Sequence, residues 1–387
     1  MPDIWRQLAG HAAEVIVVDN GSDDGTAQWL ASSWPKVQVD GSPKPLGFGS
    51  AVNRGIERAR YSHVCLLNND MRVEQDFFTA LRRAFDSVPD LFCATAQIFF
   101  PPGVRREETG KAFMGPAQPD SFPVHCDEPL PGEDQTYVLY GSGGCSLYHA
   151  EKLRALGGMD RAYDPVYVED LDIGYRGWQR GWPSVYVAGA RLVHEHRATT
   201  SKYYTEQQLE QILEINYLKF LARVVAGPEN FKRLWTEALE RLRMRAEAGN
   251  AAAVQAIRAA WKIAIAGGGG ISPAFPEEQL LALANGAAAV FPGRAPRKVK
   301  LLTVSREVYP AGDVLVAYTD ELQTPPPEVL EACAEAVLVR RGSGHAAFHA
   351  ALRQTVRKWR PERVNLRGQE MARYAADCSP AHVERVD

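Results

Sequence analysis

EVIVVDNGSDDGT, residues Glu14 to Thr26, opens on four consecutive β-branched residues, Val15 to Val18, and ends in a cluster of turn formers. A short apolar run bounded in this way reads as a buried strand, Glu14–Asp19, with Asn20, Gly21 and Ser22 breaking it. Outward from it the same alternation continues. A helix is expected from about Thr26 to Trp34, then the strand KVQVD (Lys36–Asp40), then a Gly-rich turn, PLGFGS, opening a helix from about Ser50 to Ala59. VCLLNND (Val64–Asp70) reads as a second buried strand ending in polar residues. A helix from about Gln75 to Asp86 leads to the strand LFCATAQIFF (Leu91–Phe100). Strands alternating with helices imply an α/β fold with a largely parallel sheet covered on both faces.

Residues 101–135, rich in Pro, Gly and charge, read as a long surface excursion. YVLYGSGGCSLYH (Tyr137–His149) returns to strand, and a helix follows from Ala150 to Leu156. From Thr205 to Val225 the stripe Leu209, Ile212, Leu213, Ile215, Leu218, Phe220 and Leu221 predicts an amphipathic helix. Residues 229–264 read as two helices, with linkers at Gly267–Gly270 and Phe291–Arg297. Beyond them strands are expected at Lys298–Val304, Asp313–Tyr318 and Ala336–Arg340, with helices at about Pro326–Ala334 and His345–Trp359. The chain thus divides into residues 1–225, a helical segment and linker at 226–296, and a small, partial Rossmann-like α/β region at 297–387.

Composition narrows the function. The 387 residues are 45% hydrophobic and 24% charged, an ordinary globular mixture that excludes collagen-like, disordered and coiled-coil chains. Lys plus Arg number 44 against 47 Asp plus Glu, for a net charge of −3. There is no basic excess for a nucleic-acid partner, while anionic small molecules remain open to a locally positive pocket. The six cysteines are scattered without a C-x-x-C pair, as in a reduced intracellular chain. MPDIWRQLAGHAAE carries charge where a signal peptide needs an apolar core, and no apolar run is long enough to span a membrane. The expected location is the cytoplasm, with peripheral contact at the inner face of the membrane open.

Open α/β sheets bind ligands at the carboxyl ends of their strands. Three such ends are unusually polar here: Asp19-Asn20-Gly21-Ser22, Asn68-Asn69-Asp70, and the loop holding Glu169, Asp170 and Asp172. VIVVDNGSDDGT, GFGSAVNRGIERA, LLNND, GSGGCSLYHAEKLRALGGMDRAY, VEDLDIGYRGWQRGW and ARLVHEH follow one another in an order and spacing that resemble family 2 glycosyltransferases, nearest to their rhamnosyltransferase-like branch. The resemblance covers roughly residues 1–225. It implies the GT-A nucleotide-diphospho-sugar transferase fold and an inverting transfer to a hydroxyl of a glycan or lipid-linked acceptor, with dTDP-rhamnose a candidate donor.

The resemblance also assigns residues. Asp19, Asn20 and Ser22 would meet the nucleotide, and Asn53, Asn68, Asn69, Gly143 and Gly144 would complete the nucleotide-sugar site. Asp70 stands in the metal motif, where Mn²⁺ or Mg²⁺ would stabilise the diphosphate. His194 or His196 would join it, His194 fitting better because it directly ends the apolar strand. Asp170 would be the general base and Glu169 its acceptor-orienting neighbour; no covalent nucleophile is needed. Asp172 reads as a helix N-terminal residue, Cys145 as a small buried filler, and Trp178 and Trp182 as packing or as sugar-stacking surfaces.

Three features depart from the family's pattern. Asn68 stands where a carboxylate is common, the chain opens inside the first helix with DIWRQLAG in place of the first strand, and Pro45 stands where an Asn commonly precedes the GFGSAVNRG segment. The resemblance therefore implies a central sheet position that is empty or filled otherwise, as a truncated reading frame would leave it. The alternative function is a catalytically inactive nucleotide- or glycan-binding remnant of such an enzyme. In the C-terminal region, LVRRGSGHAAFHAALRQTVRKWRPERVNLRGQEMARYAADCSP is similar to part of the N-terminal half of a family 4, GT-B glycosyltransferase, with Arg340 and Arg341 as candidate phosphate contacts.

Overall fold

A computed structural model describes residues 1–101, 109–115, 121–195, 203–266, 274–295 and 299–386. Helix α1 (Pro2–Leu8) precedes β1 (Ile16–Asp19); α2 (Thr26–Ser33) then leads to β2 (Gln38–Gly41). These two strands pair in parallel, Ile16 opposite Gln38 and Asp19 opposite Gly41, and form a sheet of their own. Helix α3 (Phe48–Arg58) lies against β1 and continues to β3 (His63–Leu67), β4 (Met71–Val73), α4 (Phe77–Ser87) and β5 (Cys93–Phe99).

Short strands β6 (Ala112–Met114), β7 (Val124–Cys126) and β8 (Tyr137–Val138) precede β9 (Cys145–His149) and α5 (Ala150–Ala155). Helix α6 (Glu169–Gln179), β10 (Ser184–His194) and α7 (Glu206–Val224) follow. Six of these strands form a second sheet on the path β3-β9-β5-β10-β4, with β8 paired to β10. Only β5 and β10 run parallel in it; the other ladders are antiparallel. The fold is α/β, but this sheet is mixed where the sequence suggested a largely parallel one. The 137–149 segment returns antiparallel between β3 and β5, and the three-residue β4 lies antiparallel against the end of β10.

Helices α8 (Pro228–Glu247) and α9 (Ala251–Ala266) pack on α7, and α10 (Glu277–Leu283) leads into the last sheet. Its strands are β11 (Ala288–Pro292), β12 (Leu301–Ser305), β13 (Val314–Thr319), β14 (Glu335–Arg340), β15 (Arg363–Arg367) and β16 (His382–Val386). α11 (Pro327–Ala332) and α12 (Gly344–Trp359) flank β14 in sequence. The order β11-β14-β13-β12-β15-β16 is parallel except for β11.

Three expectations change. The 101–135 excursion is not all surface: Thr109 to Met114 and Glu133 are buried, because Met114 N bonds to the Ala284 carbonyl at 2.8 Å and the C-terminal sheet closes over this segment. Phe291 lies in β11, fully buried, where a linker was expected; the Gly267–Gly270 linker lies outside the described residues. In α7 the stripe is turned, so that Glu214 and Asn216 are buried while Ile212 and Ile215 are half-buried. Glu214 is tolerated inside because Arg241 and Arg245 of α8 both bond its carboxylate.

Candidate active site

The strand ends β1, β3 and β10, the glycine loop before β9 and the start of α6 carry the polar residues. Asp19 ends β1 nearly buried, and its Oδ1 accepts from Ser22 N at 3.0 Å, closing an Asx turn. Asn20 bonds the Leu46 backbone twice: Nδ2 donates to its carbonyl at 3.0 Å and Oδ1 accepts from its N at 2.8 Å. This two-point clamp ties the turn after β1 to the segment that opens α3. Asn53 behaves the same way from within α3, donating to the Met159 carbonyl at 2.7 Å and accepting from Met159 N at 2.9 Å. Its amide thereby helps to fix the loop around Met159.

At the end of β3, Asn68 N bonds to the Gly144 carbonyl at 2.9 Å. A Cβ on Gly144 would stand 2.6 Å from Asn68 Nδ2 and 2.9 Å from the Met71 methyl carbon, so any larger residue would push the Asn68 and Met71 side chains aside. Asn69 is exposed beside it. Asp70 follows, and its Oδ2 lies 3.4 Å from Nε2 of His194, which ends β10 opposite Met71. His194 is 7% exposed and packs 5.7 Å from the Phe100 ring. His196 lies outside the described residues. One carboxylate and one imidazole, both mostly buried, suit a divalent cation that takes its other ligands from phosphate oxygens and water. Among the described residues no third His, Cys, Asp or Glu joins them.

Gly143 faces the start of α6: Asp170 Oδ2 accepts from Gly143 N at 3.2 Å, and Oδ1 from Leu171 N at 2.8 Å. Glu169 turns inward and is 5% exposed, with Oε2 buried and without a hydrogen-bond partner among the described residues. Burial first, then the neighbouring Asp170 charge, pushes its carboxyl well above the usual carboxylate range. Asp172 is the structural member of the group. It is buried, accepts from Tyr163 Oη at 3.0 Å and from Arg176 Nε at 2.6 Å, and Arg176 in turn holds the Leu156 and Gly158 carbonyls. Trp178 packs in the core with Nε1 on the Val138 carbonyl, and Cys145 is fully buried.

Several residues without a sequence signal of their own complete the arrangement. Asp164 accepts from Ser50 Oγ at 2.5 Å, and a Cβ on Gly47 would stand 2.1 Å from its Oδ1, which explains glycine at the start of α3. The Phe48 ring lies against Gly143. Residues 46–50 therefore join the turn after β1 to the glycine loop and the 157–168 loop. Asn216 is a buried amide inside the apolar stripe of α7, where the amphipathic pattern by itself assigns it no role. Arg340 Nη2 lies on the Gly286 carbonyl and Arg341 on Asp320, so both C-terminal arginines have protein partners.

Residues 4–157 match the model of Glycosyl transferase family 2. The chain is 28% identical over 211 residues to the N-acetylglucosaminyl-diphospho-decaprenol L-rhamnosyltransferase of Mycobacterium tuberculosis, in strains CDC 1551 and H37Rv alike, a match covering 49% of this chain and 68% of the relative. Solved structures with some likeness include GalNAc-T7 with UDP, GalNAc and Mn²⁺ (TM-score 0.44, 17% identity, 55% of this chain and 42% of that one). Another is the mannosyltransferase PcManGT of Pyrobaculum calidifontis with GDP-Man and Mn²⁺ (TM-score 0.40, 16% identity, 68% of this chain and 75% of that one). No helix among the described residues is long and apolar enough to cross a membrane.

Proposed function

We propose that the chain is an inverting glycosyltransferase that moves a sugar from a nucleotide diphosphate to a hydroxyl of a glycan or lipid-linked acceptor. The carrying observation is the meeting of Asp170 with the Gly143 backbone, beside the Asn68–Gly144 contact that carries β3 to Asp70. The relative's name favours rhamnose as the sugar and a polyprenyl-linked acceptor, which would be met at the cytoplasmic face of a membrane.

In this reading Asp19 accepts hydrogen bonds from the nucleotide. Asp170 takes the proton of the acceptor hydroxyl as its oxygen attacks the anomeric carbon from the face opposite the diphosphate. The new C–O bond forms as the bond to the diphosphate oxygen breaks, and the electron pair leaves with the diphosphate. Burial raises the Glu169 carboxyl well above the usual carboxylate range, and Glu169 is read as the acceptor-orienting neighbour of Asp170, acting from behind it. Glycine at 143 and 144 lets the backbone approach the sugar. A Mg²⁺ or Mn²⁺ held by Asp70 and His194 would neutralise charge on the leaving diphosphate. The 297–387 region is read as carrying no transfer chemistry of its own.

Calorimetric titration with UDP, dTDP and GDP, each with and without Mn²⁺, tests the donor side. Metal-dependent binding of one nucleotide is expected. Asp170→Asn should then lower transfer at least about 10³-fold while nucleotide affinity stays within about threefold. Wild-type transfer rates in that variant would remove the base assignment. The separation of the β1–β2 pair from the six-stranded sheet favours the second reading, an inactive nucleotide- or glycan-binding remnant. Nucleotide binding without transfer to any acceptor, or no binding by a folded chain, would support it.

A further inference from the structure

The chain enters α6 through two residues in the left-handed region, Tyr167 at φ 74° and Val168 at φ 80°. Neither is glycine, and Val168 is β-branched, the kind of side chain this region crowds most. Helices ordinarily start from an extended N-cap whose side-chain oxygen holds a first-turn amide. Val168 is the N-cap here, and it makes no side-chain capping bond. The local sequence does not favour this entry, so it must be held by the surrounding fold.

Asn216 of α7 does the holding. Its residue is 1% exposed, and its Nδ2 lies 2.7 Å from the Tyr163 carbonyl, 3.0 Å from that of Val166 and 3.1 Å from that of Tyr167. Two N–H groups are shared among three carbonyls of one turn, and the Tyr167 carbonyl belongs to the peptide that leads into Val168. Lys219 closes the arrangement by donating to Asn216 Oδ1 at 3.0 Å and to the Ala162 carbonyl at 2.8 Å. An ammonium can only donate, so it fixes the Asn216 oxygen toward itself and the NH₂ toward the turn.

We infer that Asn216 is a positioning residue for the transfer reaction: it holds the left-handed turn that sends Glu169 into the interior and Asp170 to Gly143. The inference rests on the reading of Asp170 as the base. It does not place Asn216 in contact with either substrate. Its effect is to keep one carboxylate where the acceptor hydroxyl must be met, and small errors of that kind cost transfer far more than binding.

The test is a double-mutant cycle in the full chain between Asn216→Leu, which keeps the volume and removes the donors, and Val168→Gly, which makes the left-handed entry free of side-chain crowding. Asn216→Leu should slow transfer by about 10- to 100-fold with the KM for the nucleotide sugar unchanged. It should also speed amide exchange across residues 163–172 by at least about tenfold, while β5 and β10 keep their protection. In the Val168→Gly background the same change should cost less than about threefold. Equal losses in both backgrounds would overturn the inference, as would a folded Asn216→Leu with unchanged transfer and exchange. Should Asn216→Leu not fold, Lys219→Met, which frees the amide to turn, should show the same exchange pattern at smaller size; unchanged exchange there would also overturn it. Failure of the base reading shows separately, as undiminished transfer in Asp170→Asn, and leaves the exchange result to decide the turn alone.

Discussion

Glu169 and Asp170 are adjacent in sequence and opposite in environment, and the helix start between them is the reason. The first residue of α6 points into the core and the second toward the Gly143 amide. Burial makes the ionised form of Glu169 expensive, and the Asp170 charge adds to that, so the folded chain keeps a proton that the unfolded chain releases near the ordinary value of 4.5. A carboxyl raised in this way contributes stability fully below about pH 4.5 and loses it as the pH rises toward the folded value. Glu169→Gln keeps the shape and removes the titration. Its melting temperature should match the wild type near about pH 4 and exceed it increasingly toward about pH 8, by about 2 °C or more. A difference that stays flat across that range would show Glu169 to be ionised in the fold. The polar runs that hold Asp19, Asp70, Glu169 and Asp170 stand out in the sequence, while their expected roles, and the choice of His194, came from the resemblance to a family. Asp164 and Asn216 do not stand out. Each is a single polar residue whose meaning comes from partners 114 and about 50 positions away in the chain.

Among the elements, the β1–β2 pair is the exception to the core's continuity. Ile16, Val17 and Val18 are half-buried, where a run of β-branched residues reads as a central strand. No ladder among the described residues joins β1 to β3. The pair is held instead by α3, whose Arg54 and Arg58 both reach Asp40 of β2, and by Glu14, which binds Arg60 and Gln38. The Arg54 hydrogen bond, more than any other attraction, holds the Asp40 carboxyl down at about 2, so this clamp is present above about pH 4 and weakens only in strong acid. Two strands alone are marginal. Native-state hydrogen exchange should therefore find the amides of β1 and β2 opening at least about tenfold more often than those of β5 and β10. Equal protection would mean that packing against α3 fully replaces a neighbouring strand. Strand type and position were legible here, while pairing was not, because apolar alternation says which residues want burial and nothing about who stands beside them. The short β4 and the charge-laden β15 and β16 were missed for the complementary reason: their pairing, not their composition, makes them strands.

For the whole molecule, residues 109–115 and 133–136 decide whether the chain unfolds as one body. Local composition marks them as surface, but their burial is produced by residues about 150 positions downstream, which no local pattern can report. Lys111 and Glu133 form an ion pair at 2.9 Å with side chains 6% and 0% exposed. Glu133 also accepts from Leu130 N and Thr136 Oγ1, both at 2.7 Å, and Thr136 Oγ1 accepts from Val290 N of β11 at 3.0 Å. Asp134 N bonds to the Val290 carbonyl at 2.9 Å, and Arg357 of α12 pairs with Asp90 at the other side. The largest hydrophobic cluster among the described residues takes members from both parts of the chain, Val73 to Cys378, beside three smaller ones. Removing one partner of a buried pair strands the other charge, so Glu133→Gln or Lys111→Met alone should cost about 3–5 kcal/mol. The double variant leaves two neutral side chains, with the new amide's oxygen able to accept from Leu130 N and its NH₂ able to donate to Thr136 Oγ1, and should cost less than about 2 kcal/mol. Calorimetry should show a single transition that moves down in both single variants and largely recovers in the double. Two resolved transitions in the wild type, with the pair affecting only the upper or only the lower one, would mean that the C-terminal sheet is a separately folding unit docked on the rest of the chain. In that case the buried pair would belong to one unit alone and could not couple them.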